Sequence, residues 1–155
     1  MRYEWGTEHQ LLRDEVTVGS TEQAFWRERA VVTTGEGTWT LRAQGGKRVF
    51  VTGPDKVERV GAIRTGWFSP VWSVEGVTTA YDVKQAGAFS SRLVVLAGGV
   101  EIGRLLSARW WTDRPALELD ASAATAVPLA DAILLLWVGY VDRRRRSRDA
   151  AAATP

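Results

Sequence analysis

Between residues 25 and 119 the chain is a succession of short runs rich in Val, Thr, Trp, Phe and Tyr, interrupted every six to twelve residues by Gly, Pro or Asp. This pattern predicts strands and turns. The runs fall at residues 26–33, 38–43, 48–52, 56–64, 72–75, 79–84, 92–97, 100–107 and 116–120. Apolar and polar residues alternate in Trp39-Thr40-Leu41-Arg42 and in Tyr81-Asp82-Val83-Lys84, which gives each strand one face for a core and one for water. Gly45-Gly46 and Gly98-Gly99 supply the positive φ that two-residue hairpin loops require, and Gly53-Pro54-Asp55 reads as a tight turn. Antiparallel hairpins follow.

A repeat with a step of 42 residues underlies these strands. It carries Trp39 to Tyr81, Leu41 to Val83, Gly45 to Gly87, Val60 to Ile102, Gly61 to Gly103 and Phe68 to Trp110. Two copies of one meander, residues 37–78 and 79–120, would build the two halves of a barrel or closed sandwich.

After Asp120 the pattern changes. Of the residues from 126 to 141, only Pro128, Asp131 and Gly139 are not apolar, so a helix here is hydrophobic around its whole circumference. Ser122 or Thr125 can cap its start, Pro128 suits its first turn, and Asp131 suits the positive end of its dipole. Arg143, Arg144, Arg145 and Arg146 stand where the negative end favours cations. Sixteen residues span about 24 Å, short of the roughly 30 Å of a bilayer's hydrocarbon core. A helix sheathed by strands fits this length; a membrane anchor flanked by arginines is the alternative.

Three Trp39-Thr40-Leu41, Gly61-Ala62-Ile63 and Ile102-Gly103-Arg104 strand segments, followed by the apolar stretch 127–141, carry a likeness to a known superfamily. In this order of elements the chain resembles the tubby C-terminal-like superfamily, to which tubby-like, LURP-one-related and phospholipid scramblase proteins belong. The resemblance implies a barrel closed around a central helix over residues 25–142, and a non-enzymatic module near membranes or in protein interactions. The strand region is compact for a tubby domain, no acidic calcium loop is present, and the basic tail continues past the helix. Phosphoinositide binding and scrambling are therefore not carried over to particular residues.

The expected fold is mainly β: an antiparallel barrel or closed sandwich of two meander repeats around a central C-terminal helix at about residues 126–142. Residues 1–24 are set apart as an acidic segment, with two arginines against five acids, and residues 143–155 as a basic and then Ala-rich tail. The whole chain carries 20 Lys and Arg against 18 Asp and Glu, a net charge of +2. That field is too weak to predict nucleic-acid binding. The absence of Cys removes thiol nucleophiles, disulfides and thiolate metal sites. The first ten residues carry Arg2, Glu4 and Glu8 and no apolar run, so no secretory signal is read and a cytoplasmic location, free or peripheral to a membrane, is expected.

Catalysis would need a base, a nucleophile or a metal set. His9, the one histidine, lies in the acidic segment and reads as a surface residue. Glu118 and Asp120 straddle Leu119 on a strand and read as its solvated face, with Asp113 nearby; a carboxylate acid and base in a barrel end is the enzymatic alternative. Neither cofactor nor metal is expected. The candidate binding residues are Arg143, Arg144, Arg145 and Arg146 together with Trp67, Arg109, Trp110 and Trp111. Trp67-Phe68 and Trp110-Trp111 on strands would each send one ring inward and one outward, the outer ring joining Arg64, Arg104, Arg109 or Arg114 in an aromatic and guanidinium patch. As core plugs they would bind nothing. As a patch they suit an anionic lipid surface or an acidic protein partner. A non-catalytic binding or scaffold module is the function expected.

Overall fold

The computed structural model describes residues 1–22, 28–88, 90–108 and 114–153. Twelve antiparallel strands form one closed ring: β1 (Arg2–Trp5), β2 (Gln10–Arg13), β3 (Val16–Thr21), β4 (Arg29–Thr34), β5 (Gly37–Gln44), β6 (Arg48–Thr52), β7 (Glu58–Thr65), β8 (Val71–Glu75), β9 (Ala80–Gln85), β10 (Leu93–Ala97), β11 (Val100–Ser107) and β12 (Pro115–Leu119). Each strand pairs with its neighbours in sequence, and β1 closes the ring between β2 and β12, with Tyr3 opposite Arg13 on one side and Leu117 on the other. Closure leaves no edge strand to aggregate.

The residues expected to face inward do so: Trp39 and Leu41 on β5 and Tyr81 and Val83 on β9 are buried. Trp72 and Val74 on β8 are buried with them. Gly45 and Gly46 have φ of 58° and 62°, as the β5–β6 hairpin demands. A ring of twelve strands leaves a bore too wide for strand side chains alone. The helix α1 (Leu129–Ala152) fills it: every residue from 131 to 142 is buried, and α1 packs on β1, β5, β8, β11 and β12, strands from around the ring. Apart from Asp131 and Asp142, the apolarity of this stretch follows from having wall on all sides.

Three expectations need correction. Residues 1–24 are not a separate acidic segment; they supply β1, β2 and β3, without which the barrel would stay open. Tyr3, Trp5 and Leu11 point inward there, and the acidic residues lie between them or in turns. The helix does not end at residue 142 but runs to Ala152, so the arginines are interior helical residues and none stands in the last turn to meet the dipole. Its start is Pro128 with no side-chain cap, in place of Ser122 or Thr125.

The 42-residue step also reaches further than two copies. Gly19, Gly61 and Gly103 are spaced by it and occupy β3, β7 and β11, the third strand of each successive group of four. A Cβ on Gly19 would stand 2.7 Å from the Thr33 carbonyl oxygen, one on Gly61 would stand 3.1 Å from Leu134 of α1, and one on Gly103 would collide with the Glu118 carbonyl. Close approach of a neighbour explains the glycine each time.

Candidate functional site

Two aspartates set how the helix sits in its bore. Asp131 and Asp142 are eleven residues apart, about three helical turns, and therefore share one face. At the start of α1, Asp131 accepts hydrogen bonds from the Val77 amide (2.7 Å) and from the Tyr81 hydroxyl (2.7 Å). At the other end Asp142, 2% exposed, accepts one from Trp72 Nε1 (3.0 Å) and forms ion pairs with Arg146 (2.6 Å) and Arg64 (3.8 Å). Burial pushes the Tyr81 phenol well above its usual value, and the bond to Asp131 raises it further. Burial and the nearby Arg145 charge lower the Arg64 guanidinium, while Asp142 pulls it back up.

The geometry identifies which connections surround the helix exit. Arg64 near the end of β7 and Trp72 near the start of β8 both reach Asp142. The connection between them, residues 66–70, must therefore project from the rim where α1 leaves the barrel. It carries Trp67 at 87% exposure and Phe68 at 95%. The expected split of the pair, one ring in and one out, does not occur, because both residues lie in a loop and not on a strand, so neither obeys strand alternation.

The arginines stand on the same rim, half-buried and engaged. Arg143 donates to Ser107 Oγ at the end of β11, Arg144 donates to the Tyr140 hydroxyl (3.0 Å), Arg145 pairs with Asp149 (3.1 Å), and Arg148 approaches Glu28 (3.9 Å). Between the helix and the β5–β6 turn a cleft of 350 Å³ is lined by Gly46, Tyr140, Arg144, Arg145 and Arg148 among others. Arg64, placed by expectation in a surface patch, is instead buried against Asp142, and Arg104 pairs with Glu101 (2.8 Å). Arg109, Trp110 and Trp111 lie outside the described residues; the chain leaves for that connection at Ala108 and returns at Arg114, whose carbonyl accepts from the Ala108 amide (2.8 Å).

The carboxylates weighed as an acid and base lie at the surface where they are described. Glu118 accepts from Arg2 (3.0 Å), Asp120 is exposed, and Asp113 is outside the described residues. His9 is exposed. The residue sequence reasoning missed is Asp142, placed at the end of the helix without a role although a second acid eleven residues beyond Asp131 in an apolar helix marks the same face. No helix among the described residues is long and apolar enough to cross a membrane.

No family model, curated protein or solved structure matches the chain.

Proposed function

We propose that the protein is a non-catalytic module that docks on an anionic lipid surface with the rim from which α1 emerges. The observation that carries this reading is the pair Trp67 and Phe68, almost fully exposed at the same end of the barrel as the helix arginines. Large rings held in water at the tip of a connection are costly unless something covers them. Taking rings of roughly 150–250 Å² each out of water is worth several kcal/mol at about 25 cal/mol per Å². A cation near an anionic leaflet adds on the order of 1 kcal/mol. Since Arg143, Arg145 and Arg146 are already tied to Ser107, Asp149 and Asp142, the rings supply the larger share and the arginines choose the sign of the surface. The resemblance to the tubby C-terminal-like superfamily supports the same direction, since it implies a non-enzymatic module near membranes.

Co-sedimentation with vesicles of phosphatidylcholine, with and without phosphatidylserine, tests this. The wild-type chain is expected to sediment with the anionic vesicles, less so at high salt, and Trp67→Ser/Phe68→Ser to remain in the supernatant. Failure of the wild type to bind, or undiminished binding by the double variant, would overturn the reading.

A further inference from the structure

The opposite end of the barrel has a different chemistry. There a cavity of 470 Å³ lies between the start of α1 and the turns that follow β4, β6 and β8. Its wall is apolar, with Trp39, Val51, Pro54 and Leu134 among the lining residues. Val77, at its lip, is 70% exposed. The volume falls in the range of small-molecule sites.

The charges around the cavity are predominantly negative. Four acids line it, Glu36, Asp55, Glu75 and Asp131, against one cation, Arg59. Arg59 is taken by Asp55 in an ion pair, and no Lys or Arg among the described residues pairs with Glu36 or Glu75. Asp131 accepts from Val77 and Tyr81 on separate oxygens, and its carboxylate stands against the roughly half positive charge of the helix start. The field in the cavity is therefore negative over an apolar floor.

We infer that this cavity binds a small organic ammonium, its charged end between Glu36 and Glu75 and its hydrocarbon body against Trp39, Val51 and Leu134. A guanidinium would place a broad polar plane against that floor, and an anion would meet three carboxylates. An ammonium on a hydrocarbon stem satisfies both surfaces. The site lies at the far end of the barrel from the proposed lipid-docking rim, so either reading can fail without the other.

Titration of the full chain with hexylammonium, hexanoate and hexanol, followed by ¹H–¹⁵N spectra, tests the inference. Hexylammonium is expected to give saturable shifts of the Trp39 indole and Val77 amide signals. The exposed pair Glu36→Gln/Glu75→Gln should keep the native spectrum and weaken binding about tenfold, the effect of removing two partly exposed charge contacts. Equal binding of hexanol or hexanoate, unchanged affinity in the double variant, or no saturable shift at Trp39 and Val77 would each overturn it.

Discussion

The two ends of the barrel are fastened to the helix by the same device and present opposite surfaces. At each end a buried aspartate of α1 takes a hydrogen bond from an aromatic side chain of the β8–β9 wall, Tyr81 at the start and Trp72 at the exit. At the start the remaining donor is a neutral backbone amide, and the carboxylate's charge is left to the cavity beside it. At the exit the remaining partners are Arg64 and Arg146, so the charge is consumed internally, and Arg143, Arg144 and Arg145 stand half-buried around it. One fastening is neutral in its partners and the other is ionic. That difference makes one end acidic with an apolar hollow and the other basic with exposed rings.

The sharpest way to break the comparison is to remove each aspartate in turn. Asp142→Ala strands Arg64, whose side chain is 7% exposed, in the wall without its counter-charge. A loss of about 3–5 kcal/mol is expected, read as a lower denaturant midpoint with unchanged slope. Asp131→Ala leaves only neutral donors unsatisfied, and about 2–3 kcal/mol is expected in the same measurement. Equal losses would mean that the ionic partners at the exit add nothing.

A glycine sharpens the picture at the start of the helix. A Cβ at Gly76 would press on Asp131 Oδ2 and stand 2.5 Å from the Thr79 carbonyl oxygen. Gly76→Ala should therefore cost about 1–3 kcal/mol through displacement of the turn, and the Val77 amide should exchange faster with solvent.

The pH dependence separates the two fastenings further. Tyr81 has its folded value raised above the ordinary phenol value of about 10. The unfolded chain therefore loses that proton first, and the stabilisation is complete below pH of about 10 and falls as pH rises above it. Tyr81→Phe should flatten that decline while lowering stability at neutral pH by about 1–2 kcal/mol. An unchanged alkaline slope in thermal unfolding would remove Tyr81 as its source. The smallest stability effect belongs to Trp67→Ser/Phe68→Ser, within about 0.5 kcal/mol, although this pair should have the largest effect on vesicle binding.

Legibility along the sequence followed how local the cause was. Strands such as Arg48–Thr52 and Val100–Ser107 were readable to the residue because alternation and turn glycines lie within each segment. The apolar helix was readable because its surroundings impose one property on every position. β1, β2 and β3 were not, because four- to six-residue strands with Glu4 between inward rings and Glu8, Asp14 and Glu15 in the turns resemble a polar tail until β12 is known to pair beside them. The candidate site was readable as an inventory, Trp67 and the four arginines, but not as an arrangement. Arg64 looks like a surface cation in sequence, and only the register of β7 against β8 turns it toward Asp142. The acidic cavity was invisible because its members come from β4–β5, β6–β7 and β8–β9 turns far apart in the chain.

The ring closure between β1 and β12 also orders events during synthesis. Arg2 emerges from the ribosome long before Glu118, its partner across the seam, and the helix that fills the bore is made after every strand. Hairpins can form as they appear, since each pairs with its sequence neighbour, but the cylinder has no seam until β12 is made and no filling until α1 is complete. For that interval Tyr3 and Trp5 belong to a strand with one side unpaired. A chaperone that shields this first hairpin, or a pause that delays the helix, would therefore decide how much of the nascent chain reaches the closed state.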